Sequence, residues 1–341
     1  MNYVVVRERG WRIEKPMVDR DDEWRELADQ VHDGSELFDK QRSVFRTYKL
    51  DTPSLLAKMF ENDLRLTKIP AKIKDKDQLA KVKQALLELY PQIKNIFLCL
   101  SCDSQYPAIN KQDFDIWAGH CHLLDRPGVD DAKINLQREG SIVKNELTKR
   151  IDTAKNEMLR FQFLEVVFRL AELCYQNDIK TDSGNANASK NAKKKKGGKI
   201  YMFQAITKLF KEHIEPSAAY EEANTMEIRE KYLYTYRVNQ YLERNEAVLR
   251  KIHAEYNYAG KSYLTPLDAI NFVTQVGGIT FVHERSILRM YGFSKQSNVD
   301  FAKTPTWNKE LYFVEFLEFF GRLAFWTFEF DSPDRLNWVR E

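Results

Sequence analysis

The sequence predicts an all-α protein: two helix-loop-helix pairs in tandem behind an irregular N-terminal arm. Three observations carry that expectation. From Thr52 onward, apolar residues recur at i, i+3 and i+4, the period of an amphipathic helix. The 341 residues hold only 13 Gly and 10 Pro, too few for sandwiches or barrels that need a turn signal roughly every 8–12 residues. A nine-residue segment also recurs: Phe163-Leu-Glu-Val-Val-Phe-Arg-Leu-Ala171 and Phe316-Leu-Glu-Phe-Phe-Gly-Arg-Leu-Ala324 agree at six of nine positions.

Composition narrows the function classes. Hydrophobic content of 43% against 30% charged residues supplies a core. The charge of +3 is the balance of 53 basic and 50 acidic side chains, which leaves no global footprint for nucleic acid. Four cysteines do not make a secreted disulfide framework. The start, Met1 to Gly10, lacks the apolar core of a signal peptide, and no stretch nears the roughly 18 apolar residues of a membrane span. A soluble, cytoplasmic protein without a membrane partner is expected.

Residues 1–50 are charge-dense, and Trp11, Trp24, Phe38 and Phe45 are too widely spaced for one helix face. A docked arm with short helical pieces and a floppy terminus both fit; the aromatics favour docking, since disordered segments usually lack them. Residues 51–178 form the first pair with its leading helices. Thr52-Pro53 opens a helix carrying Leu55, Leu56, Met59 and Phe60. Leu79, Val82, Leu86 and Leu89 mark a second, ended by Pro91, which opens a third with Ile93, Ile96, Phe97 and Leu100. Residues 179–199 are polar, low in complexity and lysine-rich, and predict a flexible linker. Residues 200–330 hold the second pair. Ile200, Phe203, Ile206, Phe210 and Ile214 define a helix stopped by Pro216, and a long amphipathic run spans Met226 to Ile252. Residues 331–341 are a tail within an aromatic stretch from Trp326 to Trp338.

The repeat extends upstream. In each half a helix enters a polar turn, then an apolar residue (Ile109, Leu264), then an acid (Asp113, Asp268). The spacings from Ile109 to Leu264 and from Phe163 to Phe316 differ by two residues. Here the chain resembles the EF-hand family, in the paired hands of calmodulin-like proteins. Their twelve-position loop has oxygen ligands at the first, third, fifth, ninth and twelfth positions, a backbone carbonyl at the seventh, and Gly at the sixth. Aligned on the aliphatic eighth position, the four loops centre on Ile109, Met158, Leu264 and Leu311, and the resemblance covers roughly residues 90–175 and 245–327.

The ligand positions fail. Loop 102–113 offers Cys102, Ser104 and Tyr106, with Pro107 at the glycine position; loop 151–162 offers Ile151, Thr153 and Lys155 and ends in Gln162. Loop 257–268 offers Asn257, Ala259 and Lys261; loop 304–315 offers Thr304, Thr306 and Asn308 and ends in Glu315. Calcium takes six to eight oxygens, several of them charged. Lys155 and Lys261 are expected to put an ammonium where the ion would sit, so no metal or other cofactor is expected.

Other candidate sites have plainer readings. Cys99-Leu-Ser-Cys102 with His120-Cys121-His122 suggests zinc, but Phe114, Trp117, Cys121 and Leu124 fall on one helical face, which makes Cys121 a core residue. Gly197-Gly-Lys199 is an incomplete phosphate loop. No nucleophile, zincin or kinase signature is present, so no catalysis and no small-molecule substrate are expected. Phe163, Leu164, Val167 and Leu170, with Phe316, Leu317, Phe320 and Leu323, read as core; an open groove gripping a partner helix is the alternative.

The Phe-Leu-Glu-x-x-x-Arg-Leu-Ala motif, with Glu212-His-Ile-Glu-Pro216, resembles degenerate paired hands of motile cilia and flagella. That resemblance implies a non-enzymatic scaffold of the ciliary axoneme, a cytoskeletal protein of the cytoplasm bound to tubulin and neighbouring axonemal proteins on doublet microtubules. Candidate protein-binding residues are Lys193, Lys194, Lys195, Lys196 and Lys199, whose charge suits an acidic surface, and the aromatic ends Trp11, Trp24 and Trp338. The alternative is a calmodulin-like regulatory subunit that clamps a target helix.

Overall fold

The computed structural model describes residues 4–7, 10–13, 38–104, 106–142, 157–179, 200–217, 220, 228–257, 260–275, 282–301 and 306–329. These are mostly helical, as expected. The chain divides into two compact units.

The first unit comprises 51–224 and 298–305. Helix α1 (Pro53–Leu66) starts where Thr52 accepts from the Leu55 N–H at 3.2 Å, with Pro53 in the first turn. A one-turn helix, α2 (Ile69–Lys72), follows, then α3 (Lys76–Asp103), α4 (Lys111–His120), α5 (Asp131–Ser141), α6 (Arg160–Tyr175) and α7 (Met202–Leu209), which continues as a wider turn over Phe210–Ile214. Helix α6 is the centre. It packs on α1, α3, α5 and α7, and Phe163, Leu164, Val167 and Leu170 are all buried.

Three expectations change in this unit. Pro91 lies inside α3 rather than between two helices. Proline removes one helix hydrogen bond, but Leu86, Tyr90, Ile93 and Lys94 on either side are buried, and that packing carries the helix through. Helix α4 stops at His120 because His122 takes a left-handed conformation (φ 52°). The register shift buries Leu123 and turns Leu124 out to solvent, off the face of Phe114, Trp117 and Cys121. The third change concerns the domain boundary expected at residue 200. Ala205, Ile206, Leu209 and Phe210 are buried as α7 packs on α3 and α6, and Ile179 pairs with Ile200. Both flanks of 180–199 therefore belong to one unit. That segment itself lies outside the described residues.

The second unit comprises 1–50, 225–297 and 306–341. The N-terminal arm is not wholly irregular: β1 (Val4–Arg7) and β2 (Gly10–Ile13) pair antiparallel, Val6 opposite Trp11, as suits a β-branched valine run. Instead of helical pieces, residues 38–50 hold a single 3-10 turn, Lys40–Arg42. This stretch is packed rather than loose. Phe45 and Tyr48 are buried, and the Phe38 and Phe45 rings lie 5.4 and 4.9 Å from that of Tyr234. The expected run from Met226 to Ile252 is interrupted: a wide turn (Arg229–Leu233), then α8 (Tyr236–Arg244), capped by Thr235, then α9 (Glu246–Tyr256). Next come β3 (Tyr263–Leu264), α10 (Pro266–Gln275), α11 (Glu284–Ser294), β4 (Leu311–Tyr312) and α12 (Phe313–Glu329). Helix α12 buries Phe316, Leu317, Phe319 and Leu323 and leaves Phe320 half-buried.

Candidate functional site: two bridged pairs of turns

The four apolar residues aligned from the sequence meet in pairs. In the first unit Ile109 and Met158 exchange both backbone hydrogen bonds, the Ile109 N–H donating at 2.9 Å and the Met158 N–H at 2.8 Å. In the second, Leu264 faces Leu311 and Tyr263 faces Tyr312 in the β3–β4 ribbon. All four eighth-position residues are fully buried. Each bridge ties together the entrances of two helices.

In three of the four turns the residue at the last loop position helps cap the helix. Gln162 accepts the Leu159 N–H at 2.7 Å; Asp268 accepts the Thr265 N–H at 2.8 Å and hydroxyl at 2.7 Å; Glu315 accepts the Tyr312 N–H at 2.9 Å. Each satisfies a backbone donor three residues upstream, the reciprocal half of a capping box. The turn before α4 is built the other way. Asn110 is the cap and accepts the Asp113 N–H at 2.9 Å, while Ser104 accepts the Asn110 N–H at 2.7 Å.

Glu315 carries more than a cap. Its carboxylate is fully buried, accepts the Gln296 N–H at 2.8 Å, and pairs with the Lys295 ammonium at 2.7 Å. The same ammonium donates to the Glu310 carbonyl and lies 4.2 Å from the Trp307 ring centre. Burial pulls the Lys295 pKa down, opposed by Glu315. Burial pushes the Glu315 carboxyl up, opposed by Lys295. Lys261, expected at an ion position, is instead exposed with its ammonium over the Tyr263 ring at 5.5 Å. Lys155 lies outside the described residues.

Behind each bridge the repeated Glu and Arg form a buried tie. Glu165 accepts from Arg169 at 2.6 Å and from the Lys68 N–H at 2.9 Å. Glu318 accepts from Arg229 at 2.9 and 3.0 Å, from Arg322 at 3.4 Å and from the Tyr234 hydroxyl. Arg229 reaches on to the Tyr48 hydroxyl at 2.6 Å, which fixes the packed part of the arm. In the first unit Asp63 is held by Arg160 at 2.7 and 3.1 Å and by the Tyr90 hydroxyl at 2.6 Å. Charges this deep are tolerated because their lone pairs and protons are used.

The remaining sequence candidates scatter. Cys99, Cys102 and Cys121 are buried, whereas His120 and His122 are exposed. Among the described residues no group of three or more His, Cys, Asp or Glu side chains is placed to hold a metal. Glu212 and His213 tie the turn after α7 to its own unit, through the Tyr175 hydroxyl at 2.8 Å and the Cys121 carbonyl at 3.0 Å. Trp11 lies in β2, but its side chain, like Lys193, Lys194, Lys195, Lys196, Lys199, Trp24 and Trp338, lies outside the described residues. An open groove in the first unit is lined by Ala57, Leu64, Pro70 and Val299 together with the charged Lys58, Glu61, Arg65 and Lys83. Sequence reading missed Lys295, Arg229, Asp63 and Arg160; Lys295 and Arg229 stand among other polar and charged residues, so nothing in the sequence marks them out.

The chain matches no protein-family model, no curated protein and no solved structure. No helix among the described residues is long and apolar enough to cross a membrane.

Proposed function

We propose that this chain is a non-enzymatic structural protein of the ciliary axoneme, bound to doublet microtubules through two EF-hand-like pairs that need no calcium. The observation that carries the reading is the replacement of ion ligation by protein contacts. The twelfth-position side chains Gln162, Asp268 and Glu315 are spent on backbone donors, while the Ile109–Met158 and Leu264–Leu311 bridges remain. A sensor needs two states that an ion can bias; turns closed by their own side chains offer no such lever. The axonemal assignment rests on the resemblance of the two Phe-Leu-Glu-x-x-x-Arg-Leu-Ala segments. The lysines of the segment Lys193–Lys199 suit an acidic protein surface such as that of tubulin.

The rival calmodulin-like clamp needs an apolar groove, and the Phe163 stripe is buried within its own unit. Calorimetric titration with calcium separates the two: no heat and unchanged helicity are expected, and sub-millimolar binding would favour the clamp. Localisation of the tagged full chain in a ciliated cell, with microtubule cosedimentation of the chain with and without residues 179–199, tests the partner. Exclusion of the chain from axonemes would refute it.

A further inference from the structure

We infer that the fourth turn is a cation site whose occupant is the chain's own Lys295 ammonium. The inference deepens the reading of that turn as an EF-hand-like loop and rests on it. In such a loop the seventh residue offers its backbone carbonyl and the twelfth its carboxylate to the ion. Numbered from Thr304, these are Glu310 and Glu315. The Lys295 ammonium donates to both, and it comes from outside the loop, at the residue after α11. The Trp307 ring, at the fourth loop position, closes the site at 4.2 Å, a cation–π contact that suits an ammonium removed from water.

The duplicate provides an internal comparison. Ile142 follows α5 as Lys295 follows α11, and both come just after a fully buried serine, Ser141 or Ser294. Gln162 stands where Glu315 does, accepting the N–H three residues before it. For the second loop of each pair, the unit with a neutral residue at the last position has isoleucine after the helix; the unit with a fully buried carboxylate there has lysine. A buried carboxylate needs a countercharge, and an ammonium on a fixed stem supplies it at any ionic composition. The second unit thereby keeps a filled loop without a metal.

Two measurements on the full chain test this. In amine acetylation followed by mass spectrometry, Lys295 is expected to react at least a hundredfold more slowly than the exposed Lys261; comparable rates would overturn the proposal without any substitution. The second is thermal unfolding of the second unit, read by hydrogen exchange of peptides from α12. Lys295→Ile should lower its melting temperature, because it leaves the Glu315 carboxylate buried without a countercharge, and Lys295→Ile with Glu315→Gln, the pair the first unit carries, should recover most of the loss. A Lys295→Ile chain that melts as the native one does, or a double variant as weak as the single one, would overturn the resident-cation site and leave the structural reading standing. Sub-millimolar calcium binding by the native chain would overturn the structural reading, whatever the acetylation result.

Discussion

Replacing Arg160 by methionine should cost the first unit a large part of its stability. Arg160 and Asp63 are both nearly fully buried, and the guanidinium supplies two of the three side-chain hydrogen bonds recorded at that carboxylate. It also donates to the Asn298 carbonyl at 3.0 Å and stacks on Phe301 at 5.1 Å, anchoring residues 298–301. Methionine keeps most of the aliphatic volume, so the loss is chiefly electrostatic. Removing one partner of a buried pair costs about 3–5 kcal/mol, against a typical total of about 5–15 kcal/mol. With a urea slope of about 2–3 kcal/mol/M, the unfolding midpoint should fall by about 1–2.5 M. Urea unfolding read by hydrogen exchange of peptides from α6 keeps the first unit's transition apart from the second's. Asp63→Leu combined with Arg160→Met removes both charges and should recover most of the loss, since a neutral packed pair is often as stable as a buried ion pair. A single variant costing under about 1 kcal/mol, or a double variant as weak as the single one, would refute the view that Arg160 neutralises an otherwise stranded carboxylate.

Other outcomes follow from the same reasoning. A Cβ added at Gly321 would meet Leu233 Cδ1 at 2.2 Å, whereas one at Gly119 meets nothing within 4 Å. Gly321→Ala should therefore lower the melting temperature, its overpacking cost of about 1–3 kcal/mol exceeding the gain in helix propensity of about 1 kcal/mol, and Gly119→Ala should raise it. Burial holds the His253 pKa below its usual 6.5, so its contribution to stability is complete above that value and is lost as the pH falls through the depressed one. Melts of the second unit should decline on acidification from about pH 6.5, and His253→Phe, which fits beside Phe313 and Phe316, should flatten that slope. Burial pushes the Cys121 thiol up to about 12 and the Cys174 thiol up to about 11, so a thiol reagent at about pH 8 should label the native chain slowly and all four cysteines after denaturation.

Local signals were legible where they act locally. Thr52-Pro53 starts α1 as read, and the Phe163 and Phe316 stripes are largely core. Ile109, Met158, Leu264 and Leu311 could be aligned because an internal repeat preserves spacing. The errors came where packing overrides a local rule. Pro91 reads as a stop, but burial on both sides keeps α3 whole. A single left-handed residue, His122, moves Leu124 off its predicted face. The polar 179–199 segment reads as a domain linker, yet α7 packs back on the unit it leaves.

Alone, the sequence determined that this chain is mostly helical and that a nine-residue segment recurs in it with its upstream spacing, because periodicity and repetition are written in linear order. Tertiary structure decided what balances the buried charge. Lys295 is 20 residues from Glu315, Arg160 is 97 from Asp63, and Arg229 is 181 from Tyr48. Such pairs come together only when helices pack, and burial then makes each charge require its partner.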